Sequence, residues 1–121
     1  MTHKTIRKNL DYIVVSDATL NDAMQKITVN HRGCIVVVDK DMLVVGVLSD
    51  GDIRRAIVKG ATIFTPVCKV MNQKFLVIFE DKESESVNEI FSKHPYVNVI
   101  PKVDKKNKLR DLIIRGGAYK G

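Results

Sequence analysis

Ser49-Asp50-Gly51-Asp52, followed closely by Arg54 and Arg55, is the stretch of this chain best equipped for chemistry. It brings a hydroxyl, two carboxylates, a glycine and two guanidinium groups to one spot. A helix beginning here adds its first backbone amides and the positive end of its dipole, which favour a phosphate. Arginine supplies the planar fork that phosphate prefers. The same residues read equally well as ordinary helix punctuation. Ser49 then serves as an N-cap, while Asp50 and Asp52 complement the dipole. From the residues alone, the two readings stand level.

The elements that must position this turn are legible on both sides. Leu43 to Leu48 is a short apolar run rich in β-branched residues, and Gly46 interrupts it. That composition predicts a buried strand, with Gly46 marking close approach by another backbone or a ligand. After Asp52 the period changes. Apolar residues fall at Ile53, Ala56 and Ile57, and Gly60 follows as a helix stop.

Upstream, residues 1–11 are polar and basic and read as a loose arm or short helical lead-in. Tyr12 to Val15 predicts a strand. Thr19 and Asp22 make a capping-box-like start for a helix through Leu20, Ala23, Met24 and Ile27, ending near Asn30. His31-Arg32-Gly33 turns the chain into Cys34 to Val38, a fully buried strand, and Asp39-Lys40-Asp41 makes a hairpin. Downstream, Pro66 bars a helix interior within 61–70, and Phe75 to Phe79 predicts a strand. Ser86 and Glu89 form a capping box before Val87, Ile90 and Phe91, and His94-Pro95 ends that helix. Val97 to Val103 and Leu109 to Ile114 form a second hairpin.

The halves repeat. Thr19 matches Ser86, Val38 matches Val103 and Leu43 matches Leu109. Each half reads strand, helix, strand, strand. The expected architecture is α+β: two repeats related by a pseudo-twofold axis, each a small three-stranded sheet with helices on one face. Clefts then lie between the repeats. The boundaries fall at about 12–60 for the first and 61–115 for the second, with 116–121 a flexible end or linker.

The bulk composition narrows the function classes. With 121 residues the chain is one compact unit, and 45% hydrophobic with 28% charged residues describes a globular protein. Only 6% of residues are aromatic and none is Trp, which argues against a stacking surface for single-stranded nucleic acid. The net charge of +6 is scattered, and its densest run, Lys102 to Arg110, reads as a solvated turn. Cys34 and Cys68 have no metal or redox spacing and read as buried free thiols in a reducing compartment. No apolar run has the length of a signal peptide core or membrane span, so a cytoplasmic protein is expected. Asp50 and Asp52 are too few for a calcium loop, and His3, His31 and His94 lack metal-ligand spacing, so no metal is expected. His31 and His94 read as turn residues. No phosphate loop or nucleophile elbow is present, so the chain reads as a non-enzyme.

The repeat order, together with Gly46-Val47-Leu48-Ser49-Asp50-Gly51-Asp52, resembles the cystathionine-β-synthase (CBS) domain, whose tandem pairs are called Bateman modules. Ser49 and Asp52 occupy the two polar positions of the family signature. The resemblance runs from about Ile13 to Arg115. It implies a regulatory ligand, an adenine nucleotide such as AMP, ADP or ATP, held between the repeats without a further cofactor. Ser49 would then contact a phosphate or ribose oxygen, and Asp52 both hydroxyls of a ribose. Asp50 and Gly51 of the turn would also bind the nucleotide, Arg54 and Arg55 would meet phosphate, and Cys34, Ile35 and Val36 would wall the base. The wording Ser-Asp-Gly-Asp-Ile-Arg-Arg is similar to CBS pairs attached to sugar-nucleotide transferases and sugar-phosphate isomerases. A homodimer and an attached or partner enzyme, such as a nucleotidyltransferase, are therefore expected.

The second copy departs from the signature. Leu112 stands for Gly46, Arg115 for Ser49 and Ala118 for Asp52, so one nucleotide site per chain is expected, with Arg115 free to lend charge to it. Two other classes remain as alternatives: a structural dimerisation module without ligand, and a basic nucleic-acid-binding domain.

Overall fold

The structure, a computed structural model, describes residues 10–81 and 87–116. The Ser86 cap and the expected features of 1–9 and 117–121 lie outside these residues. The described chain runs β1 (Ile13–Val15), α1 (Leu20–Asn30), β2 (Cys34–Val38), β3 (Val44–Ser49) and α2 (Asp50–Val58). It continues as β4 (Ile78–Phe79), α3 (Val87–Lys93), β5 (Val99–Val103) and β6 (Leu109–Ile114). Two three-stranded sheets result, ordered β1-β2-β3 and β4-β5-β6. In each, the first pairing is parallel and the second antiparallel. The expected α+β pair of repeats is what forms. No helix among the described residues is long and apolar enough to cross a membrane.

Strand alternation explains the layering, because successive side chains leave a strand on opposite faces. Ile35 and Val37 turn toward the helices and pack with Leu20, Ala23 and Ile27 of α1 and Ile53 of α2. Val36 and Val38 turn the other way, joining Ile13 and Val44 against Val99, Val103, Leu109, Leu112 and Ile114 of the second sheet. The shared core is thus sheet on sheet. The helix layer of the second half is smaller, with Phe91 on Ile100 and Ile113.

The two hairpin turns are copies. Asp39 Oδ1 accepts from the amides of Asp41 and Leu43 at 2.8 and 3.0 Å, and Asp104 Oδ1 from those of Lys106 and Lys108 at the same distances. Met42 and Asn107 close the turns in left-handed conformation, at φ 66° and 71°. The repeat offset is therefore 65 residues (103 − 38), and it places Val44, not Leu43, opposite Leu109. The pseudo-twofold axis runs between the turns. The amide of Val44 donates to the Asn107 carbonyl at 3.1 Å, and that of Leu109 to the Met42 carbonyl at 2.9 Å. Leu43 pairs with Lys108, its own counterpart.

Three expectations need correction. Tyr12 belongs to a 3-10 turn over Leu10–Tyr12, whose end Lys26 ties by donating to the Leu10 and Ile13 carbonyls. The strand expected over Phe75 to Phe79 is ordered as ladder only at Ile78–Phe79. Part of the reason is Pro101, which stands where the first repeat has Val36: the rung Ile13↔Val36 has no second-half counterpart, since proline offers no amide. The other part is Asn72, whose amide donates to the Val47 carbonyl at 2.7 Å and holds the connector on the edge of β3. Finally, only Cys34 is partly buried; Cys68 is exposed, in the middle of the 3-10 turn Val67–Lys69.

Candidate functional site

The turn from β3 into α2 is built by a capping box. Ser49 has extended backbone (φ −110°, ψ 165°), and its Oγ accepts from the Asp52 amide at 3.1 Å. The Asp52 carboxylate reaches back through Oδ2 to accept from the Ser49 amide at 3.0 Å. Its Oδ1 accepts from Arg55 Nη2 at 2.9 Å, an ion pair one helical turn apart. The Asp50 amide donates to the Gly33 carbonyl at 2.9 Å. Two of the first helical amides are therefore already engaged. Gly51 matters for packing: a Cβ there would lie 3.1 Å from Arg55 Nη1, so its absence lets the guanidinium fold back over the helix start.

This turn opens onto a cavity of about 620 Å³ between the repeats. The first repeat contributes Cys34, Ile35 and Val36 from β2, Val47 to Ser49 from β3, and Asp52 and Arg55 from α2. The connector adds Asn72 and Lys74 to Leu76, and the loop from α3 to β5 adds His94 and Tyr96 to Val99. Gly46 keeps the connector in place. A Cβ on it would lie 2.7 Å from Met71 Sδ and 3.1 Å from the Asn72 carbonyl oxygen, so the expected close approach is to the protein's own chain.

Of the nine residues singled out from the sequence, six line this cavity: Cys34, Ile35, Val36, Ser49, Asp52 and Arg55. Asp50, Gly51 and Arg54 do not. Asp50 is exposed and turned toward Gly33, where a Cβ would sit 3.6 Å from its Oδ2. Arg54 is exposed on another side of α2. The helix itself divides them, because residues three apart share a face whereas Arg54 lies two positions from Asp52. Burial pushes the Cys34 thiol up to about 11, with the Asp50 carboxylate adding to the rise, so this part of the wall is a neutral thiol. Positive charge at the rim comes from Arg55, 67% exposed, and from the exposed Lys74.

The connector and second-repeat walls were not singled out from the sequence. The repeat carries the signal for the latter. With the offset of 65, Asn98 stands where the first half has Gly33, and its Nδ2 donates across the repeats to the Arg32 carbonyl at 3.0 Å. The same offset corrects the second-half correspondence. Asp111 stands for Gly46, Ile114 for Ser49 and Gly117 for Asp52. Hydroxyl and carboxylate are both still missing there. Arg115 is not free: its guanidinium donates to the carbonyls of Phe91, His94 and Val97 at 2.7–3.0 Å and lies 4.6 Å from the centre of the Phe91 ring.

The comparisons with known proteins agree with this architecture. The model of the CBS domain matches residues 4–59. The chain is similar to arabinose 5-phosphate isomerase GutQ of Escherichia coli O6:H1, with 32% identity over 100 residues, 83% of this chain and 31% of that protein. The chain thus spans about a third of the curated relative it matches. Among solved structures, it superposes on an acetoin utilization protein (AcuB, itself a tentative designation) from Vibrio cholerae with a TM-score of 0.78 at 21% identity, covering 90% of this chain and 80% of that one. CBSX2, solved in complex with AMP, gives 0.70 at 22% identity, covering 89% of this chain and 84% of that one. The layered repeats, the capped turn after β3 and the family match lead to one conclusion: residues 4–59 are a CBS domain, and the second half of the chain repeats its fold.

Proposed function

We propose that this chain is a regulatory module whose inter-repeat cavity binds an adenine nucleotide, AMP, ADP or ATP, and biases an attached or partner enzyme. The observation that carries the reading is the convergence of Ser49, Asp52 and Arg55 with apolar strand residues on one cavity of about 620 Å³. That volume is within the range of about 300–1,000 Å³ common for small-ligand sites. The base sits between the start of β2, at Cys34 to Val36, and the second-repeat wall, with the ribose on Asp52 and phosphate toward Arg55 and Lys74. Both Asp52 oxygens already accept one bond, yet a carboxylate offers about four acceptor sites, which leaves room for a diol. Asp50, Gly51 and Arg54 support the turn from behind, without contact to the ligand.

The unit acts as one module with repeats at about 12–60 and 61–115, and binds without catalysing. The nucleotide selects one packing of the repeats by binding it more tightly. Similarity to a sugar-phosphate isomerase favours that enzyme class over a nucleotidyltransferase as the regulated partner. The signal in this reading is a cytoplasmic nucleotide pool. Calorimetric titration with AMP, ADP and ATP tests the reading, with thermal shift as a second readout, since a ligand selective for the native state raises the melting temperature. No heat and no shift with any of the three would leave a structural dimerisation module.

A further inference from the structure

We propose that Arg115 is a positioning residue for the ligand cavity, holding the second-repeat wall in place; this rests on the nucleotide reading above. The wall is the loop between α3 and β5, which carries His94, Tyr96, Val97 and Asn98 onto the cavity. A loop after a seven-residue helix has little regular structure to fix it, and Tyr96 is 95% exposed. Arg115 supplies the missing order. Its Nη2 donates toward three carbonyls, of Phe91 at 3.0 Å, His94 at 2.7 Å and Val97 at 2.7 Å, while Nε donates to Val97 at 3.0 Å. These are carbonyls at and just beyond the C-terminus of α3, where a cation also meets the negative end of the helix dipole. The Phe91 ring lies against the guanidinium at 4.6 Å and fixes its plane. The backbone completes the clamp: the Arg115 amide donates to the Asn98 carbonyl at 2.8 Å, and Asn98 in turn bonds Arg32 of the first repeat. Arg115 thereby ties the end of β6 to the loop, and the loop to the opposite wall, without itself touching the ligand.

The test compares wild type with Arg115→Met and Arg115→Lys by calorimetric titration with AMP and by amide hydrogen exchange over residues 94–99. The expected result is an affinity for AMP at least tenfold weaker in Arg115→Met. Exchange in the loop is then faster without AMP and slowed again at saturation, and Arg115→Lys recovers part of both effects. Wild-type affinity in Arg115→Met overturns the proposal, as does weakened affinity with loop exchange unchanged. If Arg115→Met does not fold, Arg115→Gln takes its place with the same readouts; failure of both to fold makes Arg115 a residue of the fold alone and also overturns it. Absence of AMP binding to wild type fails the nucleotide reading instead, while faster loop exchange in the variant still shows the clamp.

Discussion

Ser49 and Asp52 hold each other: the Ser49 amide donates to the Asp52 carboxylate at 3.0 Å, and the Asp52 amide to the Ser49 hydroxyl at 3.1 Å. Helix punctuation and ligand recognition are therefore not competing accounts of these residues. The capping box aims both side chains, and the aimed side chains reach the cavity. Asp52→Ala should weaken nucleotide binding more than tenfold and also cost about 1 kcal/mol of stability through the lost cap. Titration with AMP and urea unfolding measure the two effects separately. Unchanged affinity in the folded variant would remove Asp52 from the site.

Gly46→Val should destabilise the protein by about 1–3 kcal/mol, the usual cost of overpacking. The Met71 sulfur can swing aside, but the Asn72 carbonyl oxygen, 3.1 Å from the new Cβ, is backbone. Its displacement breaks the paired bonds between Val47 and Asn72 and moves the connector wall. Urea unfolding gives the cost; a variant as stable as wild type would show that the connector is not held by this contact.

The two thiols should differ sharply. Cys34, pushed up to about 11, stays protonated at pH 8, whereas Cys68 is exposed. Iodoacetamide followed by mass spectrometry should label Cys68 first, and AMP should slow Cys34 further because the thiol lines the cavity. The linkage has a definite sign. A thiol held above its ordinary 9.0 favours the folded state fully below pH 9, and this contribution is lost as pH rises toward 11. The stability difference between wild type and Cys34→Ala, followed from pH 8 to 10.5, should shrink accordingly; a constant difference counts against the shift.

One nucleotide per chain is expected. Ile114 stands in the position of Ser49, and a buried isoleucine gives the ligand neither donor nor acceptor. Unpaired polar groups on a buried ligand cost far more than a lost methylene. Titration with protein well above the dissociation constant gives the stoichiometry, and two equal sites would contradict this account.

A homodimer is expected through the end of α2 and the turn after it. Val58 is 83% and Phe64 75% exposed, with Ile57 and Ile63 each at 41%. Exposed apolar side chains concentrated in one short stretch of chain favour association. Sedimentation equilibrium at micromolar concentration should give twice the chain mass, and Phe64→Asp with Val58→Asp should give the monomer. A wild-type monomer across that range would refute it.

The local elements were legible in the sequence because their causes are local. Period 3.6 placed α1 ending at Asn30, β-branched runs placed β2 and β3, and Ser49 three residues before Asp52 announced a capped helix start. The repeat was visible too, though matching Leu43 to Leu109 by residue type set it one residue out of register; the hydrogen-bonded turns at Asp39 and Asp104 set it right. What only the tertiary structure decided depends on partners distant in the chain. Arg115 could be charge for a ligand until three carbonyls of the α3 loop were found around it. Phe75 to Val77 looked like strand, but β5 offers no amide at Pro101, and the connector is held on β3 instead. The second wall of the cavity exists because two sheets bury their apolar faces against each other, which brings the start of β2 and the loop before β5 together across the axis. Periodicity says which face of a strand is buried; packing alone says what lies against it.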